Sequence, residues 1–162
     1  MNRKKESNVK KSLTFLTLCA IVLFSYTVVE SSDLTMNRRL EYFIYNNSSL
    51  TTKQSQKLAT KFLKYGNENA KWLAATAKQE SDFTPSAIGT SGEKSAFQIL
   101  EFPRNKNPLN WDHAIEEALK VRKEKQLTHK NRFNALRAYN GSIHNPKTYR
   151  YAKNIKHYME SI

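Results

Sequence analysis

Glu80 is the residue whose surroundings offer chemistry most directly. With Leu73 and Ala77 it falls at i, i+4 and i+7 of an Ala-rich stretch, ENAKWLAATAKQESD, so a carboxyl shares the apolar stripe of an expected helix. It stands near the C-terminus of that helix, just ahead of a segment broken by Pro85, Gly89 and Gly92. A carboxyl held where core meets loop is partly desolvated, and the negative end of the helix dipole lies beside it. Both effects favour the neutral acid. Such an acid keeps its proton near neutrality and can donate it to a leaving oxygen, a glycosidic one included. The pattern by itself also fits a plain surface glutamate at a helix end.

A second carboxylate would come from Asp82, Glu93, Glu101 or Asp112. Asp82 points to a different face from Glu80 if the helix continues, whereas Glu93 lies in the loop and can approach a cleft. His113, His129, His144 and His157 have no spacing that places two on one helical face. With Cys19 as the sole cysteine, neither a zinc site nor an intramolecular disulfide is expected, and no organic cofactor is implied.

The elements that position these groups read as helices. Gly and Pro number four each, too few for the many turns of an all-β sandwich. A first helix is expected between Ser31 and about Ser49, around Leu40, Tyr42, Phe43, Ile44 and Tyr45. Thr51 or Thr52 caps a second that runs to about Tyr65, with Leu58, Phe62 and Leu63 inward and Gly66 closing it. Asn67 is expected to cap the third. From Phe83 to about Asn110, Pro85, Pro103 and Pro108 break the pattern, as suits a binding loop on a helical scaffold. Asn110 caps a helix to about Lys125, Thr128 one to about Tyr139, and Asn145-Pro146 opens a last helix to about Glu160, with Tyr151, Ile155 and Tyr158 inward.

Ahead of this domain the chain carries an address. Arg3, Lys4, Lys5, Lys10 and Lys11 precede an almost uncharged run, residues 12–29. Roughly 18 helical residues span about 27 Å, close to the hydrocarbon thickness of a bilayer. The basic flank stays cytoplasmic and the remainder lies outside, so a transmembrane anchor or a signal helix is expected over residues 1–32 and a helical domain over 33–162.

Gln79 to Leu100, QESDFTPSAIGTSGEKSAFQIL, resembles the signature of the soluble-lytic-transglycosylase family of the lysozyme-like superfamily. Glu80-Ser81 stands at that family's E-S, Pro85 at its proline, Gly92 at its first glycine and Ser95-Ala96-Phe97-Gln98-Ile99 at its G-L-M-Q-apolar run. Ala138-Tyr139-Asn140 matches its A-Y-N, and TYRYAKNI, Thr148 to Ile155, looks like its closing helix. The resemblance spans roughly Thr51 to Tyr158 and implies a small, mostly α, lysozyme-like domain. It implies Glu80 as catalytic acid/base and Ser81, Phe97, Gln98, Tyr139 and Asn140 around the substrate, with Tyr139 and Gln98 lining the site and Asn140 ordering the adjoining loop. Ser95, Ala96 and Phe97 depart from the family's Gly, Leu and Met. Gly89 stands where members often carry a substrate-contacting serine, and for Phe97 a core role competes with a sugar contact.

The implied substrate is the MurNAc–GlcNAc linkage of peptidoglycan, cut by one carboxyl with formation of a 1,6-anhydro product. A lysozyme that holds a water on Glu93, or a scaffold that binds glycan without cutting, are the alternatives. The net charge is +13, and beyond Asp33 basic residues outnumber acidic ones 22 to 11, so a polyanionic partner is expected. An anionic wall fits an exported chain better than nucleic acid, for which no motif is present. A single-span muralytic protein suggests local wall opening for a secretion or conjugation apparatus, or for a virion.

Overall fold

The structure, a computed structural model, describes residues 35–162. The apolar run over 12–29 lies outside the described residues. No helix among those described is long and apolar enough to cross a membrane. The core and site below belong to one compact unit, Asn37–Ile162.

The domain is mostly α. Helix α1 covers residues 35–46 and turns Leu40, Phe43 and Ile44 inward. Helix α2, Thr52–Leu63, begins on a capping box: Thr51 Oγ1 accepts from the Gln54 N–H, and the Gln54 side chain accepts from the Thr51 N–H. Its inward face is Ser55, Leu58, Ala59 and Phe62, the i, i+3, i+4, i+7 pattern.

Helix α3, Asn67–Ser81, is the central element. It buries Ala70, Trp72, Leu73, Ala74, Ala75, Thr76 and Ala77, which occupy most of its circumference. Runs of alanine let neighbouring helices approach closely on several sides, and α3 packs against α2, α4 and α6. Its N-cap is Gly66 at φ 84°, and Asn67 is the first helical residue rather than the expected cap. Glycine takes that left-handed angle without steric cost.

Helix α4, Trp111–Thr128, starts at Asn110, whose side chain accepts from the Asp112 N–H. It runs past Lys125 to Thr128. Helix α5, Arg132–Tyr139, therefore cannot be capped by Thr128. Asn131 does this instead, with Oδ1 accepting from Phe133 and Asn134. Helix α6, Pro146–Ser161, opens at Asn145 with Pro146 in its first turn, as the sequence indicates.

Residues 82–110 hold no strand but are not formless. Phe83 folds back into the core against Phe43, rings 6.4 Å apart and edge-on. Isolated antiparallel bridges pair Ile88 with Lys94 and Lys94 with Ile99. Two tight turns result, one over Gly89–Glu93 and one over Ser95–Gln98. They press Phe97 between Phe62 and Trp111, at 6.4 and 6.0 Å between ring centroids.

Candidate active site

Glu80 occupies the last turn of α3, where the helix ends in two left-handed residues, Asp82 at φ 51° and Phe83 at φ 61°. The sharp reversal stops α3 at Ser81, one residue after Glu80, and sends the chain into the two turns that form the opposite wall. A cleft of about 710 Å³ lies between these turns, α4 and the end of α5, with Glu80 in its lining.

Burial is the main force on the Glu80 carboxyl and pushes its pKa up to about 7, while a hydrogen bond from Tyr151 pulls it down and the nearby Glu93 charge adds to the rise. Tyr151 comes from α6, is itself buried, and its Oη donates to Glu80 Oε1 at 2.6 Å. Burial holds the Tyr151 phenol well above its ordinary range, and the Glu80 charge acts in the same direction. It therefore stays a donor. The group at the cleft is thus an acid about half protonated near neutrality, with one oxygen fixed by a phenol and desolvated on its core side.

Glu93 is the second carboxylate of the cleft. Its Oε2 accepts from the Ser91 N–H at 2.9 Å, which keeps it folded over its own turn. Gly89 makes room for it: a Cβ there would overlap the Glu93 carboxylate and come within 2.7 Å of Gln98 Oε1. The space a side chain at position 89 would take is filled by a carboxylate from four residues on. Glu101, Glu117 and Glu124 also line the cleft, as do Lys120 and Lys125, and Glu117 pairs with Lys106 at 2.9 Å.

Of the residues expected around the substrate, Gln98, Tyr139 and Asn140 line the cleft with Glu80. Gln98 has φ 47°, and its Nε2 donates to the carbonyls of Ala87 at 3.1 Å and Ser95 at 2.8 Å. Its amide nitrogen is committed to joining the two turns, leaving Oε1 beside Gly89. Tyr139 stacks edge-on to Trp72 and donates from Oη to the Phe97 carbonyl at 3.1 Å. Burial raises its pKa well above the ordinary value, and the Glu80 charge adds to this. Asn140 is exposed and follows α5 as its C-cap.

Two expectations are corrected. Phe97 is fully buried and does not reach the cleft, because the Ser95–Gln98 turn points it inward onto Phe62 and Trp111. Ser81 is also spent internally: its Oγ donates to the Ala96 carbonyl at 2.9 Å and accepts from the Thr84 N–H at 3.1 Å. It ties the end of α3 to the wall and is absent from the cleft lining. Tyr151, conversely, was expected only as an inward residue of the last helix and proves to be the partner of Glu80. The resemblance of TYRYAKNI to a closing helix was the available signal.

Comparison with known proteins gives no further identification: no family model, no curated protein and no solved structure matches the chain.

Proposed function

We propose that this domain is a lysozyme-like peptidoglycan lytic transglycosylase, with Glu80 as its catalytic acid/base. The observation that carries the proposal is the Glu80 carboxyl itself, desolvated to a pKa of about 7 and held by Tyr151 in a cleft of about 710 Å³. The motif order from Glu80 to Asn140 supports it.

In this reaction the Glu80 proton passes to the oxygen that links MurNAc C1 to GlcNAc. The C1–O bond breaks, and the substrate's own acetamido oxygen bonds to C1, which makes a second protein nucleophile unnecessary. Glu80, now ionised, takes the proton of the C6 hydroxyl. O6 bonds to C1 as the acetamido oxygen leaves, giving the 1,6-anhydro sugar and returning the proton to Glu80. A carboxyl with a pKa near the working pH serves both halves.

Glu93 supports a second reading. Its charge acts on Glu80 from the same cleft, so a water held by Glu93 would turn the product into a reducing sugar. Mass analysis of the muropeptides released from purified peptidoglycan tests both. Anhydro ends are expected; reducing ends alone would replace transglycosylation by hydrolysis. Bound but uncut glycan would leave a non-catalytic scaffold. Export behind residues 12–29 and service to a wall-crossing machine or virion complete the proposed setting, and a chain found only in the cytoplasm would contradict it.

A further inference from the structure

A second pocket, of about 380 Å³, opens beside the first. Asn140 lines both, and Tyr151, whose hydroxyl binds Glu80, forms part of its wall. The remaining wall brings Lys147 and Arg150 from α6 together with Gln79 and Asn154, whose amides are hydrogen-bonded at 3.1 Å. No carboxylate lines it. Neither Lys147 nor Arg150 joins an ion pair among the described residues.

The two pockets therefore differ in charge. In the main cleft carboxylates outnumber cations five to two, whereas the second pocket presents two cations and no acid. An anionic group on a bound strand is repelled from the surroundings of Glu80 and Glu93 and attracted to the adjoining pocket, which shares Asn140 with the cleft. Lys147 and Arg150, both exposed and both in the wall of this pocket, bring an ammonium and a guanidinium, the groups that suit a carboxylate or a phosphate.

We propose that this pocket seats an anionic substituent of the glycan, a carboxylate or a phosphodiester, and thereby orients the strand across Glu80. The inference rests on the glycan-cleaving reading above. Two sources carry this chemistry on a wall strand: the carboxylates of its peptide stems, and phosphodiester polymers attached to its sugars. The pocket is a specificity element for decorated over neutral glycan.

The test compares the full chain with its Lys147→Gln/Arg150→Gln variant on three preparations of one wall. These are intact strands, strands freed of phosphodiester polymer by acid, and strands freed of polymer whose carboxylates are also capped as methylamides. The variant is expected to lose roughly tenfold in kcat/KM on intact strands, the worth of one charge-assisted contact. The treatment that brings the two proteins within about twofold identifies the anion. Lys147→Arg/Arg150→Lys, which keeps both charges, is expected to retain the wild-type preference. Equal rates on intact strands, or a deficit that persists after both anions are removed, would overturn the inference while leaving the catalytic reading intact. A wild-type chain that cuts none of the three would overturn both.

Discussion

Tyr151 Oη donates a 2.6 Å hydrogen bond to Glu80 Oε1, joining α6 to α3 across 71 residues of sequence. The bond does two opposed things. It fixes the rotamer of the carboxyl at the cleft, and it favours the ionised form that burial disfavours.

Tyr151→Phe separates these effects. Without the donor, Glu80 is left with burial and the Glu93 charge, and its pKa rises beyond about 7. The alkaline limb of the pH–rate profile moves to higher pH, while kcat falls by roughly tenfold as the carboxyl loses its fixed orientation. A lowered rate with an unmoved limb would mean that Tyr151 only packs.

The raised pKa is also a statement about stability. Glu80 has an ordinary value of 4.5 and a folded value of about 7, so between these the native chain binds more proton than the unfolded one. Stability therefore falls as pH rises through this window, by up to roughly 3 kcal/mol once the loss is complete above the folded pKa. Glu80→Gln removes the penalty. Thermal or urea unfolding is expected to show the variant about 1–3 kcal/mol more stable than wild type at pH 8 and nearly equal to it at pH 4. The same difference at both pH values would contradict the burial of this group.

Gly89→Ser tests the loop. The new side chain must displace the Glu93 carboxylate, whose far end is flexible, and break its bond from the Ser91 N–H. With the Glu93 charge moved away, the pKa of Glu80 drops and the alkaline limb shifts to lower pH. Anhydro products persist if the acetamido group is the nucleophile. Their disappearance would instead make Glu93 part of the chemistry.

Phe97 and Ser81 are predicted to matter for folding rather than for substrate affinity. Phe97→Ala empties a fully buried site between Phe62 and Trp111 and should cost about 3–5 kcal/mol. Ser81→Ala leaves the Ala96 carbonyl and the Thr84 N–H without their partner, at about 1–3 kcal/mol. Denaturant midpoints report both. A KM increase with unchanged stability would return either residue to the cleft.

Much of this was legible from spacing. The caps at Asn110 and Asn145 agree with the spacing because a side-chain oxygen ahead of an amphipathic run has one favourable use, and of the two candidates Thr51 and Thr52 the structure selects Thr51. Thr128 misled because α4 keeps its helical bonds through it, and Asn131 offers two N–H groups a better acceptor. Spacing alone leaves Glu80 readable as a plain surface glutamate at a helix end, and the resemblance of the segment around it is what singles it out. Tyr151 was not singled out, since an inward tyrosine on a helix reads equally well as core. Ser95 sits at a φ of 74°, an angle that favours glycine and that nothing in its local sequence announces, and its Oγ accepts from the Phe97 N–H. The wall from α4 and the cationic pocket of α6 join helices distant in sequence, and no local pattern announces them.

The most direct measurement is the rate at which the full chain and its Glu80→Gln variant release muropeptides from purified peptidoglycan, followed from pH 5 to 9. Wild type is expected to release anhydro-muropeptides with a rate that declines above a pH of about 7, and the variant to be slower by roughly 10²–10⁴-fold below that pH, the gap narrowing above it. A variant that cuts as fast as wild type would contradict the assignment of Glu80.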